Sequence, residues 1–380
     1  MKKILINCLS ARSGGAISYL NNAISKILLM GKARENVEFF GLCDSNQASA
    51  LDAHRELILQ APTANFGGLK RSLWERKNLP KLIKGHGFST VFTPYQVQNF
   101  SSKAKSVLML RNMEPFCFDQ FQYGIKNRVR NHALRFATIR SMQSADHIIA
   151  VSGFAKDKLQ ERCRVSDDRV SHIYHGRDTF FSADIYEDKV ETTLQELNIN
   201  RPFLLTCGSL LPYRRCEDVI EAFVKYIASN GPTYDLVVAG DSNDSRYKNK
   251  LHRLANESGQ KSRVHFVGHV SKESIRALYR SAKIVILATE IEACPNIAIE
   301  AMSAGAVILA SNSRPLPEII GQGNALFFEQ RNIDQIHKQL QFLTESKKEA
   351  AELRQCAQQR AFNYSWDRCV EKTLTLLERI

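Results

Sequence analysis

The feature that most limits the fold is a regular alternation of short apolar runs and helical patterns along the 380-residue chain. Continuous Val, Ile, Leu and Phe runs in the first part predict strands at 2–7, 37–43, 90–95, 106–110, 146–152 and 170–175. Helical patterns lie between most of them, for instance at 15–30 and 124–144. Such strands are typical of parallel sheets that helices cover on both faces.

The alternation stops at a polar, charged segment, which predicts a linker at 181–200, and then restarts. Further strands are predicted at 203–208, 234–240, 263–268, 284–289, 306–311 and 325–329. The helices of this part are predicted at 216–229, 247–258, 272–282, 332–345, 347–361 and 365–380. The two series predict an α/β protein with two Rossmann-like domains, 1–180 and 201–362. Because ligands of open α/β sheets lie beyond the carboxyl ends of the strands, functional residues are expected in strand-to-helix loops.

The most informative of these loops reads EACPNIAIEAMSAG and begins at Glu292. Pro295 suits the first turn of a helix, where its missing N–H costs nothing. The N–H groups around Asn296 and Ile297 would then point out of the helix start, which is a favourable place for a phosphate.

Two glutamates flank this predicted phosphate site. Glu292 lies before the helix and Glu300 about one turn inside it, so each could accept hydrogen bonds from hydroxyl groups. A nucleotide sugar presents a ribose on one side of its diphosphate and a hexose on the other. The alternative is that both acids are solvated, but the apolar residues around Glu300 leave it little polar helix face.

A second loop, TCGSLLPYRRCEDVIEAF at 206–223, also joins a predicted strand to a helix. Gly208 allows a tight turn and a close backbone approach. The guanidinium groups of Arg214 and Arg215 suit a phosphate, although a solvated basic turn is the alternative.

A third loop, SARSGGAISYL at 10–20, follows the first strand. Gly14 and Gly15 open a helix there and could let backbone N–H groups approach a phosphate or a sugar. A purely structural turn is an equal alternative. The loop lacks the G-x-G-x-x-G fingerprint, which disfavours a nicotinamide-dependent dehydrogenase.

The net charge of +13 lies entirely in the first half of the chain. Residues 1–180 hold 27 Lys and Arg against 14 Asp and Glu, whereas the remainder is balanced. Two segments, 69–85 and 123–140, combine six and five basic residues with interspersed apolar ones. They predict basic amphipathic helices on an anionic membrane surface, with ordinary solvated helix faces as the alternative. Nucleic acid is disfavoured as a partner because no binding motif is present.

The nine cysteines are scattered and form no C-x-x-C pair, so we expect reduced thiols and no metal site. No apolar run reaches the roughly 18 residues that span a bilayer. The N-terminal apolar run is followed by an arginine and a glycine pair, which suits a strand and its turn better than a signal peptide. A cytoplasmic protein is expected, with a peripheral position on the inner face of the plasma membrane.

Several segments in order resemble the retaining glycosyltransferases of family 4, which have the GT-B fold. In the second half these are GSLLPYRRCEDVIEAF, LVVAGD, RVHFVGHVSKESIRALYRSAKIVILAT, RPLPEII and the E-x7-E stretch EACPNIAIEAMSAG. VSGFAKDKL and HIYHGRDTFF resemble the end of the family's first domain. The likeness covers roughly 145–330 well and the first 140 residues loosely.

The resemblance implies two Rossmann-like domains whose parallel sheets face a central cleft, with helix 363–380 packing back on the first domain. It assigns the donor sugar to Glu292 and the ribose to Glu300. Backbone groups near Cys294, Pro295, Asn296 and Ile297 would hold the sugar and diphosphate. Arg214 stands where the family's diphosphate-binding lysine lies, and the family is generally independent of metal, so no cofactor is expected.

Two residues depart from the family's pattern. Ser209 replaces an arginine that often follows the turn glycine, which leaves the diphosphate charge to Arg214 and Arg215. Arg111 stands where the family often has a histidine near the reacting sugar, and an arginine cannot act as a general base.

The resemblance implies transfer of a sugar from a nucleoside-diphosphate sugar, with retention of anomeric configuration, to a glycan or a polyprenyl- or lipid-linked acceptor. Synthesis of a bacterial surface polysaccharide or lipopolysaccharide is the expected setting. Two alternatives remain open: a non-catalytic sugar-nucleotide-binding scaffold subunit and a GT-B-fold sugar-nucleotide epimerase. The sequence leaves the base, the sugar, the acceptor and the linkage undetermined.

Overall fold

The computed structural model describes residues 1–12, 14–231, 233–242 and 244–380. These residues form two compact units. Unit 1 consists of Met1–Phe116, Ile125–Gly176 and Ser365–Ile380. Unit 2 consists of Cys117–Gly124 and Arg177–Tyr364.

Among its described residues, unit 1 contains a parallel sheet of seven strands in the order β3-β2-β1-β4-β5-β6-β7. The strands are β1 Lys2–Asn7, β2 Val37–Cys43, β3 Ile58–Gln60, β4 Thr90–Thr93, β5 Lys105–Leu110, β6 His147–Ala150 and β7 Val170–His172. The helices are α1 Gly15–Tyr19, α2 Ser25–Gly31, α3 Ser45–Ala48, α4 Gly68–His86, α5 Glu114–Cys117, α6 Ile125–Ser144 and α7 Gly153–Lys158, and a π-helical turn, Leu20–Ile24, joins α1 to α2.

The described part of unit 2 contains six parallel strands in the order β10-β9-β8-β11-β12-β13. They are β8 Phe203–Cys207, β9 Asp235–Ala239, β10 Val264–Gly268, β11 Val285–Leu287, β12 Ile308–Ser311 and β13 Leu326–Phe328. The helices are α8 Glu187–Glu196, α9 Cys216–Asn230, α10 Ser245–Glu257, α11 Lys272–Ser281, α12 Asn296–Ser303, α13 Leu316–Ile320, α14 Ile333–Glu345 and α15 Lys347–Ala361. The predicted alternation of parallel strands and helices is confirmed in both units.

The segment 181–200, predicted as a linker, lies within unit 2 and contains helix α8. No residue of α8 is fully buried, which explains why the sequence shows so little periodicity there. Strand β3 was not predicted; with three residues at the edge of the sheet, it is too short to give an alternating pattern.

The last helix, α16 (Trp366–Arg379), belongs to unit 1. The Trp366 indole lies 5.7 Å from the ring of Tyr19 and stacks at 5.4 Å on His175, measured between ring centroids. A Cβ atom at Gly176 would lie 2.0 Å from the backbone nitrogen of Trp366, so only glycine permits this approach.

Each sheet has one position where the strand order reverses, between β1 and β4 in unit 1 and between β8 and β11 in unit 2. Ligands of such sheets bind outside the carboxyl ends of the strands at this position. In unit 2 the loops that follow β8 and β11 are the two loops to which the sequence assigned most of the donor site.

Candidate functional site in unit 2

Two glycines set the base of the β8–α9 loop. Gly208 has a φ of +115°, and a Cβ atom there would lie 2.7 Å from Cδ1 of Ile297, at the start of α12. Gly240, at the end of β9, has a φ of +143°, and its Cβ would lie 1.9 Å from the carbonyl oxygen of Gly208. The two glycines therefore allow the loop to pass directly between β9 and the first turn of α12.

An ion pair joins the β8–α9 loop to the β11–α12 loop. Nη1 of Arg214 donates to Oε1 of Glu292, and the two side chains are only 19% and 12% exposed. The Nε atom of Arg214 is buried, and no hydrogen-bond acceptor for it occurs in the described structure. Arg214 thus keeps one donor without an acceptor in the described structure.

Burial and charge act in opposite directions on this pair. Burial tends to lower the pKa of Arg214, but the negative charge of Glu292 together with smaller contributions from Tyr213 and Cys207 outweighs it, so the pKa is raised and the arginine stays charged. Burial raises the pKa of Glu292, and the positive charge of Arg214 opposes that increase. A buried guanidinium with one carboxylate partner provides a fixed positive charge at the carboxyl edge of the sheet.

Helix α12 begins next to this pair, but one of the N–H groups predicted to be free at its start is hydrogen-bonded within the protein. Pro295 occupies the N-cap position instead of the first turn, and the N–H of Asn296 donates to the carbonyl of Cys294 at 2.9 Å. The prediction of a free Asn296 N–H is therefore wrong, because a tight turn precedes the helix. The N–H groups of Ala298 and Ile299 donate to Pro295, whereas that of Ile297 reaches no backbone acceptor among the described residues.

Glu300 lies in a partly buried environment of mixed charge. Burial raises the pKa of its carboxyl group to about 7, with the nearby charge of Asp178 adding to the rise and that of Lys272 opposing it. Asp178 and Lys272 form an ion pair of 2.5 Å. Near neutral pH, Glu300 therefore exchanges between a carboxylate, which accepts hydrogen bonds from hydroxyls, and a neutral acid.

Ser209 and Arg214 lie together with Glu292, whereas Arg215 points elsewhere. Arg215 has a φ of +51°, and its guanidinium bonds Asp218 at 2.5 and 2.9 Å. The structure thus separates the two adjacent arginines that the sequence had placed together on a phosphate.

A small pocket lies between the two loops. Its cavity of about 20 Å³ has room for about one water molecule. The cavity is therefore too small to enclose a nucleotide. The predicted donor-site residues that line the pocket are Gly208, Ser209, Arg214, Glu292, Pro295 and Ile297.

The remaining predicted site residues belong to unit 1. Gly14 has a φ of +50° and an exposed position at the N-cap of α1, and Gly15 is the exposed first residue of that helix. Ser13 of the same loop lies outside the described residues. Nη1 of Arg111 donates to the carbonyl of Pro94 at 3.2 Å, and its guanidinium lies 5.7 Å from the centre of the Tyr19 ring.

Three residues of this site were not predicted from the sequence. Gly240 could have been recognised as a glycine at the carboxyl end of the strand next to β8. Asp178 and Lys272 are distant in sequence from Glu300, and only the fold brings their charges close to it. The structure describes no group of three or more His, Cys, Asp or Glu side chains able to hold a metal ion.

Two family models match the chain. The model described as "Glycosyl transferases group 1" matches residues 189–360, and the model "Glycosyltransferase Family 4" matches residues 32–180. Together they span most of both units.

Curated relatives share part of the chain. The serotype-specific mannosyltransferase WbdA of Escherichia coli is 27% identical over 191 residues, which are 50% of this chain and 23% of WbdA. The O-antigen chain mannosyltransferase B of Escherichia coli is 24% identical over 262 residues, which are 67% of this chain and 65% of that protein. The chain thus spans less than two thirds of either relative.

Solved structures share the whole fold at low identity. Anabaena Alr3699/HepE, solved in complex with UDP-glucose, superimposes with a TM-score of 0.77 at 16% identity, covering 100% of both chains. WaaG, a glycosyltransferase involved in lipopolysaccharide biosynthesis, gives a TM-score of 0.74 at 15% identity, covering 98% of this chain and 99% of WaaG. These likenesses confirm the predicted GT-B fold.

Proposed function

The chain belongs to the group 1 glycosyl transferases of family 4, and on that premise we propose that it transfers a sugar from a nucleoside-diphosphate sugar to a glycan or lipid-linked acceptor. The proposed reaction retains the anomeric configuration, as the family resemblance implies. The product is proposed to be part of a bacterial surface polysaccharide or lipopolysaccharide. The names of WbdA, mannosyltransferase B and WaaG support that setting.

The observation that carries the proposal is the Arg214–Glu292 pair at the point of strand-order reversal between β8 and β11. The pair places a buried positive charge beside the start of α12, where the Ile297 N–H lacks a backbone acceptor among the described residues. These groups suit a diphosphate, because guanidinium and helix-start N–H groups both bind phosphate oxygens. Glu300, deeper in the helix, is proposed to accept hydrogen bonds from the ribose.

The residues suggest how the leaving group is stabilised. When the bond between the sugar C1 and the phosphate oxygen breaks, negative charge develops on the nucleoside diphosphate. Arg214 is already charged and fixed by Glu292, so it can stabilise that charge with little reorganisation. Arg214 supplies the countercharge in this proposal, which therefore includes no metal ion.

The other groups have proposed roles in binding. Glu292 is proposed to accept a hydrogen bond from the donor sugar through the oxygen that Arg214 leaves available. The acceptor hydroxyl forms the new bond to C1, and its proton passes to the departing diphosphate oxygen. In unit 1, Arg111 is proposed to contact the acceptor or its phosphate, because it cannot remove that proton itself.

We further propose that unit 1 binds an anionic membrane surface through α6. Three large apolar side chains of this helix are exposed: Ile125 at 84%, Val129 at 64% and Phe136 at 71%. Their spacing of four and seven residues places them on one face of the helix. Because 123–140 carries five basic residues and no acid, anionic headgroups complement it, at about 1 kcal/mol for each cation near the surface.

Helix α4 offers a second, similar face, since Leu69 and Leu73 are exposed one turn apart and 69–85 carries six basic residues. In the described part of the chain, no helix combines the length and the apolar character needed to cross a bilayer.

Vesicle sedimentation tests the membrane proposal. We expect binding to vesicles that contain phosphatidylglycerol but not to pure phosphatidylcholine, and at least a tenfold loss of binding for Val129→Ser with Phe136→Ser. Phe342→Ser, which removes a 43% exposed phenylalanine from α14, is the matched control and should bind as wild type does. Equal binding by both variants would contradict a role for α6.

Transfer assays test the catalytic proposal. The protein is incubated with UDP-glucose, UDP-galactose, UDP-N-acetylglucosamine or GDP-mannose and a bacterial lipid extract, and release of nucleoside diphosphate is measured. We expect release with one donor, loss of at least a hundredfold with Arg214→Met, and a product whose C1 configuration by NMR equals that of the donor. Tight binding without release on any acceptor would favour the non-catalytic scaffold, and inversion at C1 would refute retention.

A further inference from the structure

Arg215 lies in a compact cluster of buried carboxylates behind the proposed diphosphate site. Its guanidinium bonds both oxygens of Asp218, at 2.5 and 2.9 Å, and lies 3.1 Å from Glu217 and 3.4 Å from Glu290. The side chains of these acids are only 3–5% exposed. Arg215 is therefore the common partner of three buried negative charges.

The cluster is balanced in charge. Arg331 binds Glu290 through two hydrogen bonds of 2.8 and 3.0 Å, and Lys250 binds Glu217 at 3.0 Å. Three cations thus face three carboxylates, and every guanidinium nitrogen of Arg215 already lies within 3.4 Å of a carboxylate oxygen, whereas Nε of Arg214 has no acceptor among the described residues. Moving the Arg215 guanidinium to a ligand would leave buried carboxylates without their partner, which is strongly unfavourable.

The same cluster links the two loops of the proposed donor site. The backbone N–H of Glu290 donates to the carbonyl of Tyr213 at 2.8 Å, and its side chain reaches Arg215. Glu290 lies two residues before Glu292, and Tyr213 and Arg215 flank Arg214. Each member of the Arg214–Glu292 pair therefore lies within two residues of one that ties the loops together.

We propose that Arg215 is a positioning residue, which through Glu290 holds the β8–α9 and β11–α12 loops at the spacing that the Arg214–Glu292 pair requires. Its left-handed backbone, with a φ of +51°, directs its side chain to the cluster while Arg214 faces the pocket. The expected effect on ligand binding rests on the proposed function, whereas the expected effect on the Arg214–Glu292 ion pair does not.

A ligand-free measurement tests the positioning itself. Urea denaturation gives the free energy of unfolding of each variant. The coupling between Arg214→Met and Glu292→Gln is the deviation from additivity of these free energies when the two substitutions are combined. We expect this coupling to fall by at least half when Glu290→Gln is also present. Lys250→Met, which removes a cation of the cluster without touching Glu290, is the matched control and should leave the coupling unchanged. Equal coupling in all three backgrounds would overturn the proposal.

A nucleotide measurement separates positioning from direct phosphate binding. Calorimetry gives the Kd of UDP and UMP, or of GDP and GMP, and their ratio reports the second phosphate. We expect Glu290→Gln, Arg215→Lys and Arg215→Met each to lower this diphosphate preference about tenfold and to leave the monophosphate Kd within twofold of wild type.

If Arg215 instead binds phosphate directly, Arg215→Lys keeps the preference and Glu290→Gln has no effect, which overturns the proposal. Should Arg215→Met fail to fold, Glu290→Gln and Arg215→Lys still decide between the two outcomes. Should wild type bind none of these nucleotides, the proposed function fails, whereas the ligand-free coupling still decides on positioning.

Discussion

The raised pKa of Glu300 predicts that sugar-nucleotide binding weakens in acid. If the ribose hydroxyls donate to Glu300, only the ionised carboxylate binds them well. With a pKa of about 7, about nine tenths of Glu300 is ionised at pH 8 but only about one tenth at pH 6. We therefore expect the Kd of the bound sugar nucleotide to rise about tenfold from pH 8 to pH 6.

Calorimetry at pH 6, 7 and 8 measures this change. A sugar nucleotide is the suitable ligand because its internal diphosphate lacks the ionisation that a terminal phosphate shows near pH 6. Glu300→Gln should bind weakly with no such pH dependence. Asp178→Asn should move the midpoint to lower pH, because the Asp178 charge helps to raise the pKa of Glu300.

The pH dependence of protein stability tests the raised pKa of Glu300 without a ligand, because the direction of the stability change follows from the direction of the pKa shift. The folded-state pKa of about 7 lies above the ordinary value of 4.5, so the folded protein holds this proton more tightly than the unfolded chain does. Ionisation of Glu300 therefore removes stability as the pH rises from 4.5 to 7, on the order of 3 kcal/mol in total. Glu300→Gln should gain stability relative to wild type at pH 8 but not at pH 4.5. A stability difference that is independent of pH, or a Kd unchanged between pH 6 and 8, would refute the reasoning.

Three further predictions concern the same loops. Gly208→Ala should cost about 2–5 kcal/mol of stability by urea unfolding, because of the positive φ and the 2.7 Å approach to Ile297. Adding Ile297→Val should restore part of that stability. The control Gly259→Ala, with a φ of +72° and no atom within 4 Å of the new Cβ, should cost only about 1 kcal/mol. Arg214→Met should weaken nucleoside-diphosphate binding by about 10- to 100-fold in calorimetry, since it removes charged hydrogen bonds; adding Glu292→Gln should recover part of this loss, because the single substitution leaves a buried carboxylate facing the diphosphate. Gly240→Ala should destabilise more than Gly208→Ala in the same urea assay, because its Cβ meets a backbone oxygen at 1.9 Å, which cannot move aside as the end of a side chain can.

The sequence predicted the fold well because its signals are local. Each apolar run ends within a few residues of an observed strand, and helices such as α9 and α15 begin at the predicted residue. Helix α8 was missed because its partly exposed residues give no clear periodicity. The strand order could not be predicted, since the pairing of β8 with β11 joins segments about 80 residues apart.

The sequence predicted which loops and residues form the candidate site, but not all of the contacts that these residues make. The two loops and the Arg214, Glu292 and Glu300 positions follow from motif and spacing. The opposite environments of Arg214 and Arg215 depend on one left-handed backbone conformation, which the sequence does not favour at an arginine. The turn that occupies the N–H of Asn296 is likewise a matter of three-dimensional geometry.

The central claim, a nucleoside-diphosphate site formed by the β8–α9 and β11–α12 loops, is most directly tested by thermal shift. UDP, GDP, ADP and CMP and their common sugar conjugates are compared on wild type and Glu300→Ala. A ligand at about 100 times its Kd stabilises the protein by about 2.7 kcal/mol, which gives a clear rise in Tm. The account predicts a rise with one nucleotide base only, and its loss in Glu300→Ala. The absence of any rise for wild type at millimolar concentration would contradict it.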